Sequence, residues 1–316
     1  MSDQGDPISW REYEHAEWEV PKIRLSCDDA DDELPPPEVI TQLPDAVLQS
    51  YREQGFLVLP RVLSMTAVEE LRTRLDRILQ GDYPTGVPPD KIPTIKHLNP
   101  LGPNAKKRVL QLINVHKSDP LYRELALHPV LGRLLQSLLQ TNTPARLAQD
   151  QIWAKPPGSP ALSFHRDSPY FMFQPSSSIV TVWVALDDMR AEKGPLVYAP
   201  TSHRWTNASV LASKQFFVGR KDTCLLEQAA KEEGVAVPPQ LVTLADVPAG
   251  SLAIHDGNLW HGSGPNRSPT EPRRGLGLHY CPGNVQWTAE AQHSSLWRNY
   301  NRNEPVPEED FPYVKT

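Results

Sequence analysis

His165 and Asp167 stand two residues apart in the stretch ALSFHRDSPYFMF, residues 161–173. Leu162, Phe164, Phe171 and Phe173 give this stretch the character of a half-buried strand. Residues i and i+2 of a strand share a face, so the imidazole and the carboxylate are expected to point one way and Arg166 the other. Buried without a cation, such a pair would be costly, and it reads as two arms of a chelate. The bland alternative is a hydrogen-bonded pair on a strand surface.

A chelate needs a third arm from a distant part of the chain. The segment GSLAIHDGNLWHGSGPNRS, residues 250–268, offers His261 at an expected strand end, before a tight Gly-Ser-Gly turn, and His255 six residues earlier. Two histidines and one carboxylate on one face of a metal leave three positions open, the arrangement typical of non-haem iron(II) oxygenases. EPRRGLGLHY, residues 271–280, then places two arginines at the start of a strand. A fixed guanidinium near a metal can grip a co-substrate carboxylate bidentately. Strand parity separates the two. If Arg273 faces inward, so do Gly275, Gly277 and His279, which leave room. If Arg274 does, Leu276, Leu278 and Tyr280 crowd the pocket, so Arg273 is favoured.

The elements that must position these groups are read from patterning. PDAVLQSYREQG forms a helix stopped at Gly55, FLVLP a short buried strand, and SMTAVEELRTRLDRILQG a helix capped by Ser64. Residues 82–108 read as a loop and VLQLINV as a strand. LYRELALHPVLGRLLQSLLQ is helical, interrupted at Pro129. After Pro144 the chain turns to short β-branched and aromatic runs punctuated by Pro and Gly: ARLAQDQIWAK, SFHRDSPYFMF, SIVTVWVALDD, GPLVYAP, LVTLADVPAGSLAIHDG and RRGLGLHYCPG. Helices followed by strands indicate a helix-supported antiparallel sandwich or barrel. Residues 1–43 form an acidic, Pro-containing extension, and 44–316 a single domain. The insert 206–240 is too long for a plain hairpin loop and is expected to act as a lid, with Phe216 and Phe217 as anchors.

Composition narrows the class. The chain has 316 residues, 39% hydrophobic and 22% charged, with a formal charge of -6. That is an ordinary globular mixture, and the acidic balance argues against a nucleic-acid partner. Three cysteines, Cys27, Cys224 and Cys281, are odd in number and widely spaced, which fits a reducing compartment and a cytoplasmic location. No signal peptide and no apolar run long enough for a membrane span is expected.

The motif segments, in order, resemble the phytanoyl-CoA dioxygenase family of iron(II)/2-oxoglutarate-dependent oxygenases. The pieces are GFLVLP, WAKPPGSPALSFHRDSPYFMF, IVTVWVALDDMRAEKGPLVYAPTSHR, GSLAIHDGNLWHGSGPNRS and RRGLGLHY, and the resemblance covers roughly residues 44–290. It implies a mainly β fold with flanking helices, a double-stranded β-helix of the jelly-roll, cupin-like kind. His165, Asp167 and His261 match the family's catalytic iron ligands, and Arg273 the arginine that grips the distal carboxylate of 2-oxoglutarate. Trp183, Ser263 and Gln151 fall at further co-substrate contacts. The family often carries a lysine on the strand matching VLQLINV, where this chain has Gln111 and Leu112, a departure that puts one co-substrate contact in question.

The implied cofactors are Fe(II), 2-oxoglutarate and O2, and the implied partner is a small organic substrate. The expected reaction is hydroxylation of a C–H bond with release of succinate and carbon dioxide. Desaturation, epimerisation or ring formation by the same centre, and a non-catalytic metal-binding barrel, are the alternatives. Halogenases of this kind lack the carboxylate, so Asp167 disfavours halogenation. Trp153, Tyr170, Phe171 and His279 are the candidate substrate contacts. Phe173 and Trp260 read as core aromatics, Lys155 as a partner for an acidic substrate group or a solvated lysine, and His203 and His255 as structural. Asp187 and Asp188 are expected to close a turn.

Overall fold

The computed structural model describes residues 43–94, 99–174, 179–206, 223–293, 297–301 and 304–316. Residues 1–42 of the acidic extension and residues 207–222 of the expected lid, including Phe216 and Phe217, lie outside them.

The chain enters through α1 (Asp45–Gln54), which ends where Gly55 takes a left-handed φ of 85°, and turns into β1 (Phe56–Leu59). Helix α2 (Met65–Leu79) is capped by the Ser64 side chain, which accepts from the Ala67 amide at 3.2 Å. Strand β2 (Leu110–Ile113) is followed by α3 (Pro120–Ala126) and α4 (Pro129–Leu139). Pro120 and Pro129 each open a helix, where a missing N–H costs nothing, so the helical stretch divides in two.

The remaining strands are β3 (Ala145–Lys155), β4 (Leu162–His165), β5 (Phe173–Gln174), β6 (Val180–Ala185), β7 (Leu196–Tyr198), β8 (Val242–Thr243), β9 (Leu252–Asp256), β10 (His261–Ser263), β11 (Arg273–Pro282) and β12 (Gln286–Trp287). They form a six-stranded sheet of order β1-β9-β6-β11-β3-β2, a four-stranded sheet of order β4-β10-β7-β8, and the pair β12-β5. The paired strands run antiparallel.

Period-two alternation sorts the large sheet. Leu276, Leu278 and Tyr280 of β11, Val182 and Val184 of β6 and Leu252 and Ile254 of β9 pack outward against Leu71, Leu75 and Ile78 of α2 and Leu134, Leu135 and Leu138 of α4. Each such side chain buried contributes roughly 1.5–3 kcal/mol. The opposite face carries Gly275, Gly277 and His279, Thr181 and Trp183, Ala253 and His255, and Gln149, Gln151 and Trp153, aligned by register into ranks. Polar residues on this face belong to the interior between the two sheets rather than to solvent. Behind the small sheet, α5 (Ser168–Phe171) precedes β5, and α6 (Cys224–Glu233) docks Leu226, Ala229 and Ala230 on Phe164, Val197 and Trp260.

Three expectations are corrected. SFHRDSPYFMF is not one strand. β4 stops at His165, and Asp167 adopts helical angles (φ −81°, ψ −45°) ahead of the one-turn α5. Pro169 is the cause, since it lacks an N–H for a ladder but suits the first turn of a helix. His261-Gly-Ser is not a strand end and turn but the strand β10, paired with both β4 and β7. LVTLADVPAGSLAIHDG divides into β8 and β9. Between them Gly250 has a φ of 83°, and a Cβ there would lie 2.4 Å from the Leu63 carbonyl oxygen.

Candidate metal centre and co-substrate pocket

His165 and His261 are direct cross-strand partners in β4 and β10, and the turn into α5 swings Asp167 back toward both. The shared direction of His165 and Asp167 is thus made by a turn, not by strand alternation. Their three donor atoms lie within 4.8 Å of one another. Asp167 Oδ1 is 3.8 Å from His165 Nε2 and 3.7 Å from His261 Nε2. Each imidazole donates its Nδ1–H to a backbone carbonyl two residues back, Ser163 at 2.8 Å and Leu259 at 2.9 Å. A carbonyl only accepts, so the neutral ring keeps its Nε2 lone pair, aimed at the common point.

Burial pushes His165 down to about 3, reinforced by His261, and His261 down to about 4. Both rings are neutral at physiological pH, the form that binds a metal. Burial alone would raise Asp167, yet the surrounding imidazoles of His261, His279 and His255 hold it well below the usual carboxylate range. Two neutral nitrogens and one carboxylate oxygen, all buried, suit a divalent transition metal.

The second feature of the cavity is Arg273. It is buried, and its Nη2 donates to the Gly194 carbonyl and to Ser263 Oγ, both at 3.1 Å, while its Nε has no partner. Burial lowers it to about 10, so it stays cationic at neutral pH. Among the described residues no carboxylate comes within ion-pair distance of it. A buried cation without a counter-charge is expensive, and an incoming anion would supply that charge. Arg274 faces the other way and clamps Asp187 bidentately at 2.9 and 2.7 Å, as strand parity requires. Asp187 also lies 3.3 Å from Arg72, so it closes an ion-pair cluster rather than a turn. Asp188 accepts from the Ala249 amide at 2.9 Å, a bond that ties it to a segment 61 residues away.

Trp183 packs against Gly275, where an added Cβ would sit 2.0 Å from its ring. The small residue thus makes room for an indole as well as for a ligand, and the guanidinium carbon of Arg273 is 5.7 Å from that ring. Gln151 lines the same cavity, with its amide engaged by Gln111 at 2.8 Å and Gln149 at 2.6 Å. Gln111 accepts in turn from Lys91 at 2.7 Å, so an amide chain occupies the place of the lysine the resemblance leads one to seek. Trp153, Tyr170, Phe171 and His279 line the cavity beside the His165 cluster.

The expectation for Lys155 is corrected. It is fully buried and donates to Ser263 Oγ at 2.7 Å. It braces the hydroxyl that Arg273 also touches, and it is not a solvated lysine. Phe173 and Trp260 pack in cores away from the cavity. His203 has a structural role, donating to the Arg52 carbonyl at 3.0 Å. His255 is closer to the centre than a wall residue need be, since its Nε2 lies 3.2 Å from Asp167 Oδ2. Thr181, which sequence reasoning missed, donates to the same oxygen at 2.6 Å. Alternation in VTVWV could have found it, because Thr181 must share a face with Trp183.

A two-sheet antiparallel barrel with a buried His/Asp/His cluster and a buried arginine defines a class, and comparison supplies the family. The family model described as phytanoyl-CoA dioxygenase (PhyH) matches residues 51–275. A dioxygenase of Aspergillus fumigatus is 24% identical over 245 residues, 76% of this chain and 68% of its own length. The peroxisomal phytanoyl-CoA dioxygenase of Bos taurus is 27% identical over 159 residues, 49% of this chain and 46% of its own length. The crystal structure of the non-heme alpha ketoglutarate dependent carbocyclase SnoK from nogalamycin biosynthesis superposes with a TM-score of 0.67 at 22% identity, covering 87% of this chain and 98% of that one. This chain belongs to the phytanoyl-CoA dioxygenase family. It is an oxidoreductase of the Fe(II)- and 2-oxoglutarate-dependent dioxygenase class, with O2 as oxidant.

Proposed function

We propose that this enzyme hydroxylates an unactivated C–H bond of a small organic metabolite, with His165, Asp167 and His261 holding the iron. When bound there, iron would supply the activation of O2, coupled to oxidative decarboxylation of 2-oxoglutarate to succinate and carbon dioxide. The protein's part is to bind, orient and keep dry. The observation that carries the reading is the uncompensated, buried Arg273 facing the same cavity as the three ligand atoms. Arg273 and Ser263 receive the distal carboxylate of 2-oxoglutarate, Lys155 fixes the Ser263 hydroxyl, and Trp183 and Gln151 shape the slot. Trp153, Tyr170 and Phe171 offer the substrate apolar faces, and His279 offers it a polar edge. Apart from the cluster and Arg273, the described lining carries no fixed charge, which favours an uncharged, partly apolar substrate.

Residues 44–316 act as one catalytic domain, and the enzyme works in the cytoplasm, as its sparse cysteines suggest. Among the described residues no helix is long and apolar enough to cross a membrane. A second reading is ring formation by the same centre, the reaction after which the superposed carbocyclase is named. The test is succinate release by protein purified without oxygen and then given Fe(II), 2-oxoglutarate and air. His165→Ala, Asp167→Ala and His261→Ala are each expected to abolish it while circular dichroism stays native. Normal turnover in Asp167→Ala would remove the ligand assignment.

A further inference from the structure

The two oxygens of Asp167 live in different surroundings. Oδ1 faces His165 Nε2 and His261 Nε2. Oδ2 faces the large sheet. It accepts from Thr181 Oγ1 at 2.6 Å and from His255 Nε2 at 3.2 Å, and His279 Nε2 stands 3.6 Å away. These three residues form one rank across neighbouring strands, since Thr181 pairs with His279 on one side and with His255 on the other. The rank is buried.

The donors are themselves directed. A carboxylate only accepts, so His255 presents Nε2–H to it. The neutral ring's Nδ1 is then an acceptor, and the Tyr198 hydroxyl lies 2.9 Å from it. A relay runs from Tyr198 through His255 to Asp167 Oδ2. Thr181 has a hydroxyl proton to give, and Oδ2 at 2.6 Å is where it goes.

We infer that Thr181 and His255 are positioning residues that occupy Asp167 Oδ2, so that the aspartate offers a metal one oxygen rather than two. The consequence is a three-atom protein donor set, two nitrogens and one oxygen. A carboxylate free to chelate through both oxygens would leave a bound metal one position fewer for exchangeable ligands. The large sheet, which carries none of the three candidate ligands, thereby sets how many donor atoms β4, β10 and the turn before α5 would offer a metal. The inference rests on the assignment of Asp167 as a ligand.

The test is Co(II) binding to the full chain, measured by calorimetry and by the visible absorption of the bound ion. Partners that orient a ligand commonly carry 10–100-fold in metal affinity. Thr181→Val and His255→Phe are expected to weaken Co(II) by about that factor and to shift the visible bands. Thr181→Ser, which keeps the hydroxyl, is expected to stay within about twofold of the parent. Where Thr181→Val does not fold, by circular dichroism, Thr181→Ala takes its place. Parental affinity and bands in the folded Thr181 and His255 variants would overturn the inference. So would equal losses in the valine (or alanine) and serine variants. Asp167→Ala is the control. Parental Co(II) binding in that variant would mean that the ligand assignment itself has failed, whereas its loss alongside unaffected Thr181 variants removes only the brace.

Discussion

Arg273 and Arg274 are neighbours in sequence with opposite surroundings, and the difference yields a sharp contrast. Arg273 faces the cavity, while Arg274 is locked to Asp187 on the outer side. Removing the guanidinium that receives a buried carboxylate commonly costs about 3–5 kcal/mol. Arg273→Ala is therefore expected to weaken 2-oxoglutarate at least about 100-fold by calorimetry, with little change in melting temperature. Arg274→Ala leaves Asp187 partly unpaired, since Arg72 still stands 3.3 Å from it. It is expected to lower stability by about 1–3 kcal/mol and to leave co-substrate affinity unchanged. The reverse pattern would mean that β11 presents the wrong face.

Strand β11 works as an element because its two faces differ in size. Its outer side chains, Leu276, Leu278 and Tyr280, are buried under the helices. Its inner positions Gly275 and Gly277 leave space for Trp183. Gly275→Ala would drive a methyl to within 2.0 Å of the indole. Overpacking of this kind costs about 1–3 kcal/mol, and here the displaced ring lies beside Arg273. The variant is expected to lose roughly tenfold or more in 2-oxoglutarate affinity, together with a lower melting temperature. Unchanged affinity would show that Trp183 can move without disturbing the slot.

Across the whole molecule, a buried thiol and a half-buried carboxyl report on integrity. Burial pushes the Cys281 thiol up to about 12, whereas Cys224 is exposed. Under native conditions peptide mapping after alkylation is expected to find Cys224 modified and Cys281 protected. Cys281 should react only at the rate of global unfolding. Asp256 gives a pH signature. Burial raises it to about 6 from its ordinary 3.8, opposed by a hydrogen bond from the Asn258 amide. The folded state binds this proton more tightly than the unfolded one, so the contribution to stability falls as pH rises from about 4 through 6 and stays lost above. Asp256→Asn keeps the acceptor for the Asn258 amide and removes the charge. It is expected to raise stability by about 1–2 kcal/mol at pH 7.5 and by almost nothing at pH 4. An equal gain at both pH values would contradict the assignment.

Local chemistry made much of this protein readable. Gly55 and Ser64 bound helices because their backbone and hydroxyl do so anywhere, and the eleven residues of ARLAQDQIWAK form β3 from end to end. Period-two alternation turned Arg273 inward and Arg274 outward, since a strand has no other choice. What local patterning could not express was decided by pairing across the chain. His261-Gly-Ser is too short to carry a period, and it is a strand only because β4 and β7 flank it. Asp167 reaches the two imidazoles through the turn at Pro169, not through the alternation that first drew attention to it. Thr181, His255 and Lys155 gained their contacts only when two sheets closed face to face. A buried polar atom takes whichever partner the opposite sheet presents, and that identity is written in the register between distant strands.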